Sequence, residues 1–199
     1  MIEIEKKFLL NKKDEKRLIN DAEFISKKEF VDIYYDDKSF SLTKNDIWLR
    51  SRDNDFELKL PLNNKENRTA DKYKEITNEK IIKKFLKLNL NKNLKSSLKE
   101  VGYLPFVKCK TIRKKYKKDK FIIDIDYVDF GNFDYNICEI ELMLNKKSEI
   151  KNAVNQIINF ALEHNLKITP VRGKIIEYLK RKRPKHYKIL VLNKVVEDF

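Results

Sequence analysis

The amino-acid sequence predicts an α+β protein with a mainly β core, in which eight antiparallel strands close into a barrel and helices pack on its outside. Two observations support this fold class. Eight segments alternate apolar and polar residues with the two-residue period of a β-strand, and short turns separate most of them. Residues 150–162 instead space their apolar side chains three and four apart, as an amphipathic helix does. Closing the sheet into a barrel would leave no strand edge exposed.

Five strands are predicted in the first half of the chain. Residues 1–10 alternate as a strand, and Asn11 can then cap a short helix that carries Asp14 and Glu15 in its first turn. The rest of this half is predicted to hold strands over residues 29–35, 46–52, 56–62 and 72–76, a short extended piece at 40–42, a turn at 53–55 and a polar loop at 63–71.

The second half is predicted to contain three longer strands, over residues 103–117, 120–128 and 136–144, preceded by helices over roughly 78–88 and 93–100. After the helix at 150–162, Pro170 marks a break, and further helices begin near Gly173 and Pro184. Because no repeat or linker divides the chain, we predict a single domain over residues 1–199, with the helices at about 173–195 packing on or capping the barrel.

Composition excludes several classes of protein. A hydrophobic fraction of 41%, with 12 Phe and 9 Tyr, favours a folded globule over a disordered chain. No apolar run approaches the roughly 18 residues that cross a bilayer, and no signal-peptide pattern is visible, so we expect a cytoplasmic protein without a membrane partner. Cys109 and Cys138 are too few for a disulfide framework, and we interpret both as buried thiols facing outward beneath helices.

Motifs of other enzyme classes are missing from the sequence. The three glycines lie too far apart for a P-loop or a dinucleotide-binding turn. The two histidines have no nucleophile pattern nearby, so a Ser-His-Asp or Cys-His mechanism has no support. The net charge of +14 suits an anionic ligand, either a small phosphate compound or a nucleic acid, although a general richness in Lys and Asn raises this charge everywhere.

Charged residues recur two apart on strand after strand, so that each set shares one face. Glu3, Glu5 and Lys7 would line up along roughly 13 Å of the first strand. The later sets are Arg50 with Arg52, Glu57 with Lys59, Lys108 with Lys110, Asp124 with Asp126, and Glu139 with Glu141. Any single pair is more simply the solvated side of a half-buried strand. The clustering of like charges instead favours a barrel interior that holds an anion against the bases and Mg²⁺ or Mn²⁺ against the carboxylates.

The motifs on these strands resemble those of the CYTH, or triphosphate tunnel metalloenzyme, superfamily, and within it the branch that hydrolyses thiamine triphosphate. Glu3-x-Glu5-x-Lys7 is similar to the ExExK signature of the superfamily. The similarity continues in order along nearly the whole chain, through Tyr34-Tyr35-Asp36, Trp48-Leu49-Arg50-Ser51-Arg52, Glu57-Leu58-Lys59, Tyr73-Lys74-Glu75, Asp124-Ile125-Asp126, Glu139-Ile140-Glu141, Lys174-Ile175-Ile176-Glu177-Tyr178-Leu179 and Arg183-Pro184-x-x-Tyr187.

This resemblance implies a closed eight-stranded tunnel in which thiamine triphosphate is hydrolysed to the diphosphate and phosphate with Mg²⁺, or Mn²⁺ as a substitute. It implies metal ligation by Glu3, Glu5, Asp124, Glu139 and Glu141, and catalysis by Lys59 with Tyr34. The implied substrate contacts are Lys7, Arg50, Arg52, Lys59, Lys74, Lys108, Lys110, Lys174 and, stacked on the thiamine ring, Trp48; possible additional tunnel residues are Glu75, Asp126 and Arg113.

The sequence departs from the family pattern at two places. Lys110 stands where the family usually has an arginine, and Arg113 could compensate only if the strand register allowed it. The segment from 131 to 139 is longer than expected, which affects the register of Glu139. Surrounding positive charge is expected to lower the pKa of the Lys59 ammonium and allow it to act as a general base.

Several alternatives stay open at this point. An inorganic triphosphatase needs the tunnel but no aromatic platform, and a nucleoside or RNA 5′-triphosphatase is a more distant version. A basic protein that holds polyphosphate or RNA without turnover would gain nothing from five inward carboxylates. Residues 180–183 (KRKR) fit either a nucleic-acid patch or, preferably, a solvated helix face. We expect a monomer that binds a small triphosphate and no nucleic acid.

Overall fold

The computed structural model describes residues 2–62, 73–144 and 149–199, with side chains described for all of these except Ile2 and Glu3. The predicted loop at 63–71 therefore lies outside the described residues. The strands are β1 (Ile2–Phe8), β2 (Glu23–Asp36), β3 (Trp48–Arg52), β4 (Asp55–Pro61), β5 (Tyr73–Ile76), β6 (Leu104–Lys118), β7 (Phe121–Asp129) and β8 (Asp134–Leu144). The helices are α1 (Lys12–Ile19), α2 (Glu79–Phe85), α3 (Leu94–Glu100), α4 (Ile150–Glu163), α5 (Lys174–Lys182) and α6 (Pro184–Leu192).

All eight strands form one antiparallel sheet in the order β1-β8-β7-β6-β2-β3-β4-β5. The predicted fold class is confirmed, but the closure of the barrel is corrected. The sheet curls until β1 and β5 lie near each other, and within the described residues no ladder of hydrogen bonds joins these two edges. In the described part of the chain β5 spans Tyr73–Ile76, beside the seven residues of β1. The result is a curled, open sheet.

Local sequence signals account for the turns and caps. The side chain of Asn11 accepts hydrogen bonds from the backbone N–H groups of Lys13 and Asp14, as predicted for the start of α1. Asp53 and Asn54 both have positive φ, which gives the β3–β4 hairpin a turn whose twist matches its strands. The connection between β7 and β8 is shorter than predicted, because Asp129 already pairs with Asp134. The same pairing places Glu139 opposite Asp124.

Residues 40–42 are a turn and not the predicted extended piece. The carboxylate of Asp36 accepts hydrogen bonds from the backbone N–H groups of Leu42 and Thr43, at 3.0 and 2.9 Å. These bonds satisfy the backbone without a strand partner. A 3₁₀ turn over Thr43–Asn45 follows, and Asp46 then adopts a left-handed conformation with φ of 63°. β3 consequently starts at Trp48, two residues later than predicted.

Two apolar clusters lie on the outer face of the sheet, where the helices were expected. α4 covers β1, β7 and β8, and Cys138 is buried there as predicted. α2 and α3 cover β2, β3 and β4. Within the described residues, no helix is both long and apolar enough to cross a membrane.

The third cluster lies on the inner face of the sheet, and it is formed with the C-terminal helices, which the sequence predicted to pack on or cap the barrel. Ile175 and Leu179 of α5 and Leu190 of α6 pack against inward side chains of β2, β3, β6, β7 and β8 at one end of the curled sheet. Cys109 belongs to this inner cluster, so its predicted outward orientation is wrong. The remainder of the interior is the cavity described below.

Candidate active site

A cavity of 710 Å³ occupies the interior of the curled sheet. It is lined by charged side chains because the opposite faces of the same strands are covered by the outer helices. The charged residues on its wall include Glu5, Lys7, Asp46, Arg50, Arg52, Glu57, Lys59, Glu75, Arg113, Lys115, Glu139, Glu141 and Lys174. The predicted interior of alternating acidic and basic residues is therefore present.

Three carboxylates converge on one side of this cavity. Strand pairing sets Glu5 opposite Glu141 and Lys7 opposite Glu139, and one carboxylate oxygen from each of the three glutamates lies within 4.8 Å of the others. Burial raises the pKa of Glu139, but Lys7 and other nearby cations outweigh it and hold the pKa at about 2. Closely spaced carboxylate oxygens are the donor set that Mg²⁺ and Mn²⁺ prefer, so these residues fit such an ion. The side chain of Glu3, also predicted as a ligand, lies outside the described residues.

The two inward aspartates of β7 lie behind Arg113. The Arg113 guanidinium donates from Nε and Nη2 to the two oxygens of Asp126, at 2.6 and 2.7 Å, and also contacts Asp124 and Glu139. Asp124 is fully buried, and Lys115 lies 2.8 Å from it. Burial raises the pKa of Asp124 despite these cations. Asp124 thus lies outside the converging set of three glutamates, and its predicted ligand role stays a prediction.

A buried aspartate that the sequence analysis missed organises the cations of the opposite wall. Asp32 is fully buried, accepts hydrogen bonds from Arg52 at 2.8 and 3.1 Å and from Lys174 at 2.7 Å, and lies 4.0 Å from Arg50. Burial opposes ionisation, but Lys174 and the arginines together hold the pKa of Asp32 far below its ordinary value. The available signal was its position two residues before Tyr34, which puts both on the inner face of β2.

Lys59 lies among carboxylates. Its ammonium is 2.5 Å from Glu75 and 4.0 Å from Glu57. Burial, and after it Arg50, lower the pKa of Lys59, but Glu5, Glu75 and Glu57 outweigh them and the net shift is upward. The expected lowering is therefore wrong, because the neighbours that dominate are acids. Tyr34 also lines the cavity, and burial raises the pKa of its hydroxyl.

Three predicted phosphate contacts point away from the cavity. Lys108 and Lys110 are exposed on β6, and Lys110 pairs at 2.8 Å with exposed Glu29. The odd-numbered residues of β6 face inward, because Val107 and Cys109 pack in the inner cluster. Arg113 and Lys115 therefore line the cavity. On β5, Glu75 faces inward opposite Lys59, which leaves Lys74 exposed on the other face.

α5 enters the cavity at its N-terminus. Gly173 caps this helix, and a Cβ at this position would lie 3.3 Å from Cε of Lys7. The missing side chain lets the helix start against β1. Lys174, the first residue of α5, then reaches Asp32 and the hydroxyl of Thr111, the latter at 3.2 Å. The predicted cation Lys174 is thus brought to the same wall as Arg50 and Arg52.

Aromatic side chains form another part of the wall. Tyr34, Trp48 and Tyr73 all line the cavity, and the rings of Tyr34 and Trp48 meet edge to face with centroids 6.5 Å apart. Trp48 is 9% exposed, so it is largely packed in the inner cluster with one surface on the cavity. Its predicted role as a stacking platform stays a prediction.

The sequence is similar to one protein family over most of its length. Residues 1–168 match the family model described as the CYTH domain. The chain is 28% identical over 209 residues to the thiamine-triphosphatases of Homo sapiens and Macaca fascicularis, with 96% of this chain and 90% of each relative covered.

Solved structures resemble the curled sheet and its helices. The PH1819 protein from Pyrococcus horikoshii OT3 matches with a TM-score of 0.66 at 21% identity, covering 90% of this chain and 99% of that protein. A Hippeastrum protein that is described as having a dominant triphosphatase activity matches with a TM-score of 0.56 at 14% identity, covering 91% of this chain and 96% of that protein. Both matches show the fold.

Proposed function

This chain belongs to the CYTH domain family, and we propose that it is a metal-dependent hydrolase that converts thiamine triphosphate to thiamine diphosphate and phosphate. The observation that carries the proposal is the convergence of a three-glutamate group with several cations in one cavity. A cavity built only to bind an anion would gain nothing from these carboxylates. The two related thiamine-triphosphatases support the choice of substrate.

Glu5, Glu139 and Glu141 would hold the divalent ion, since their oxygens are close together and suited to a hard cation. Such an ion would neutralise phosphate oxygens and assist attack by water. Lys7, which contacts Glu5 and lies 3.9 Å from Glu139, would bind a phosphate oxygen beside the ion.

The opposite wall would position the phosphate chain. Arg50, Arg52 and Lys174 are already held in place by Asp32, and Arg50 also pairs with Glu57 at 2.8 Å. Phosphoryl transfer depends mainly on such positioning and on charge neutralisation. Water attacks the terminal phosphorus, the bond from that phosphorus to the bridging oxygen breaks, the diphosphate leaves, and the protons of the water leave with the phosphate product.

Lys59 would act in its protonated form. Because its acidic neighbours raise its pKa, the ammonium stabilises negative charge on the substrate instead of accepting a proton from water. The tyrosine partner implied by the resemblance, Tyr34, lies on the same cavity and would help to orient the phosphate chain.

The aromatic part of the wall favours an organic triphosphate over inorganic tripolyphosphate, which needs only the charged part. A direct test compares phosphate release from thiamine triphosphate, tripolyphosphate and ATP with Mg²⁺ present. The proposal predicts the highest kcat/KM for thiamine triphosphate, and in Trp48→Ala a higher KM for that substrate with the KM for tripolyphosphate unchanged. If tripolyphosphate is turned over far better than the thiamine compound, the proposed substrate is wrong.

A further inference from the structure

Asp46 connects two aromatic residues that the chain and the sheet keep apart. Its Oδ1 accepts a hydrogen bond from Nε1 of Trp48, at 2.9 Å, and another from the hydroxyl of Tyr73, at 2.8 Å. Trp48 is the first residue of β3 and Tyr73 the first residue of β5, with β4 between them in the sheet. One carboxylate oxygen of Asp46 therefore holds Trp48 and Tyr73 in place relative to each other.

The backbone of Asp46 is shaped to bring its carboxylate to this position. Its φ of 63° is left-handed, a conformation that aspartate tolerates better than most residues, and its N–H closes the preceding 3₁₀ turn on the carbonyl of Thr43. Asp46 is only 1% exposed, and yet it lines the cavity. A carboxylate with this burial is costly unless it is hydrogen-bonded, as it is here by two aromatic donors.

This arrangement decides what the aromatic wall offers a ligand. The indole N–H and the Tyr73 hydroxyl hydrogen are both directed to Asp46, so these rings offer the cavity aromatic surface beside a carboxylate and not their hydrogen-bond donors. Aromatic surfaces beside a carboxylate attract a flat cation more strongly than a neutral ring. A neutral nucleobase, which depends on hydrogen bonds to its edge, would find these donors occupied.

We infer that Asp46 is a positioning residue that fixes Trp48 and Tyr73 as the wall for the organic part of the substrate and biases this wall toward a cationic aromatic ring. The inference rests on the proposed function for its choice of substrate. Its structural part, the placement of Trp48 by Asp46, can be tested without turnover.

The test uses the fact that Trp48 is the only tryptophan in the chain, so fluorescence excited at the red edge of the indole absorption, where the 9 tyrosines barely absorb, reports on its indole. Asp46→Ala removes the acceptor, whereas Asp46→Asn keeps an oxygen in the same place without the charge. Tyr73→Phe removes one donor and keeps the ring. Glu163→Ala, at the exposed end of α4, is the matched control.

Asp46→Ala is expected to shift the Trp48 emission and to raise KM for thiamine triphosphate about tenfold, with kcat and the KM for tripolyphosphate nearly unchanged. Asp46→Asn should restore the emission and part of the KM, and Tyr73→Phe should raise KM by a smaller factor. Quenching of wild-type Trp48 by thiamine diphosphate should be stronger than quenching by ADP.

Unchanged emission and KM in Asp46→Ala would overturn the inference, as would an equal loss with tripolyphosphate. If Asp46→Ala does not fold, the other two variants decide. A wild-type KM for thiamine triphosphate in both Asp46→Asn and Tyr73→Phe would then overturn the inference. Equal quenching by the two diphosphates overturns the cationic preference. The proposed function fails separately if the wild-type protein does not hydrolyse thiamine triphosphate, whatever the emission shows.

Discussion

Replacing Arg113 by methionine should destabilise the protein strongly, because this one guanidinium serves several buried acids. It forms two hydrogen bonds with Asp126 and contacts Asp124 and Glu139, and both aspartates are at most 1% exposed. Removing one partner of a buried ion pair costs about 3–5 kcal/mol. Lys115, 2.8 Å from Asp124, remains in the variant and keeps the expected loss near the lower end of that range.

The measurement is urea-induced unfolding at neutral pH with EDTA, since a divalent ion bound at the glutamates would offset part of the lost charge. For a chain of this size, a loss of about 3 kcal/mol corresponds to a fall in Tm of roughly 6–12 °C. The free energy of unfolding of Arg113→Lys should lie between those of Arg113→Met and the wild type. Lysine keeps the positive charge but lacks the planar guanidinium that forms two hydrogen bonds with Asp126.

Lys110→Met is the matched control, since the sequence placed this lysine inside the tunnel and the structure places it outside, against exposed Glu29. It should leave the free energy of unfolding unchanged, because exposed ion pairs contribute little. Equal destabilisation by the two substitutions, or a loss in Arg113→Met below about 1 kcal/mol, would refute the placement of Arg113 among these acids.

Two further predictions concern protonation. Because the acids around Lys59 raise its pKa, Lys59→Arg should keep part of kcat whereas Lys59→Met should lose nearly all of it. An inactive Lys59→Arg, together with a wild-type kcat that rises with pH as one group loses a proton, would instead indicate that Lys59 is a general base. Burial, and then Arg183, lower the pKa of His186 to about 4, below its unfolded value of about 6.5, so its contribution to stability is complete above pH 6.5 and is lost as the pH falls toward 4. Relative to His186→Gln, the wild type should lose about 3 kcal/mol over that interval in urea unfolding, and parallel pH profiles for the two proteins would contradict this.

The sequence predicted the strands well because alternation and turn residues are local signals. The inward residues Glu5, Lys7, Arg50, Lys59 and Glu139 followed from that alternation together with the family resemblance. The face of β6 did not follow, since a strand can present either parity and packing in the inner cluster chooses between them. Lys110 and Arg113 are three residues apart, so on a regular strand only one of them can face the cavity.

Other features depend on contacts that no single strand encodes. The pKa of Lys59 rises because acids from β1, β4 and β5 meet around it, and charge on its own strand does not indicate the sign. Similarly, Asp32 can organise the cations of its wall only because α5 places Lys174, 142 positions away in the sequence, against it. In the described residues β1 and β5 come near each other without pairing, which depends on how far the whole sheet curls and not on the alternation within any strand.

Metal dependence at the three glutamates can be measured as phosphate release from thiamine triphosphate while Mg²⁺ is titrated into EDTA-treated protein, for the wild type and Glu139→Gln. Wild-type hydrolysis should require the metal. Glu139→Gln should lose activity by more than about 100-fold, beyond the loss typical of residues that do not ligate the metal directly. Glu163→Gln, exposed on α4, should match the wild type. Wild-type hydrolysis that persists in EDTA, or a fully active Glu139→Gln, would contradict a metal-dependent site at the three glutamates.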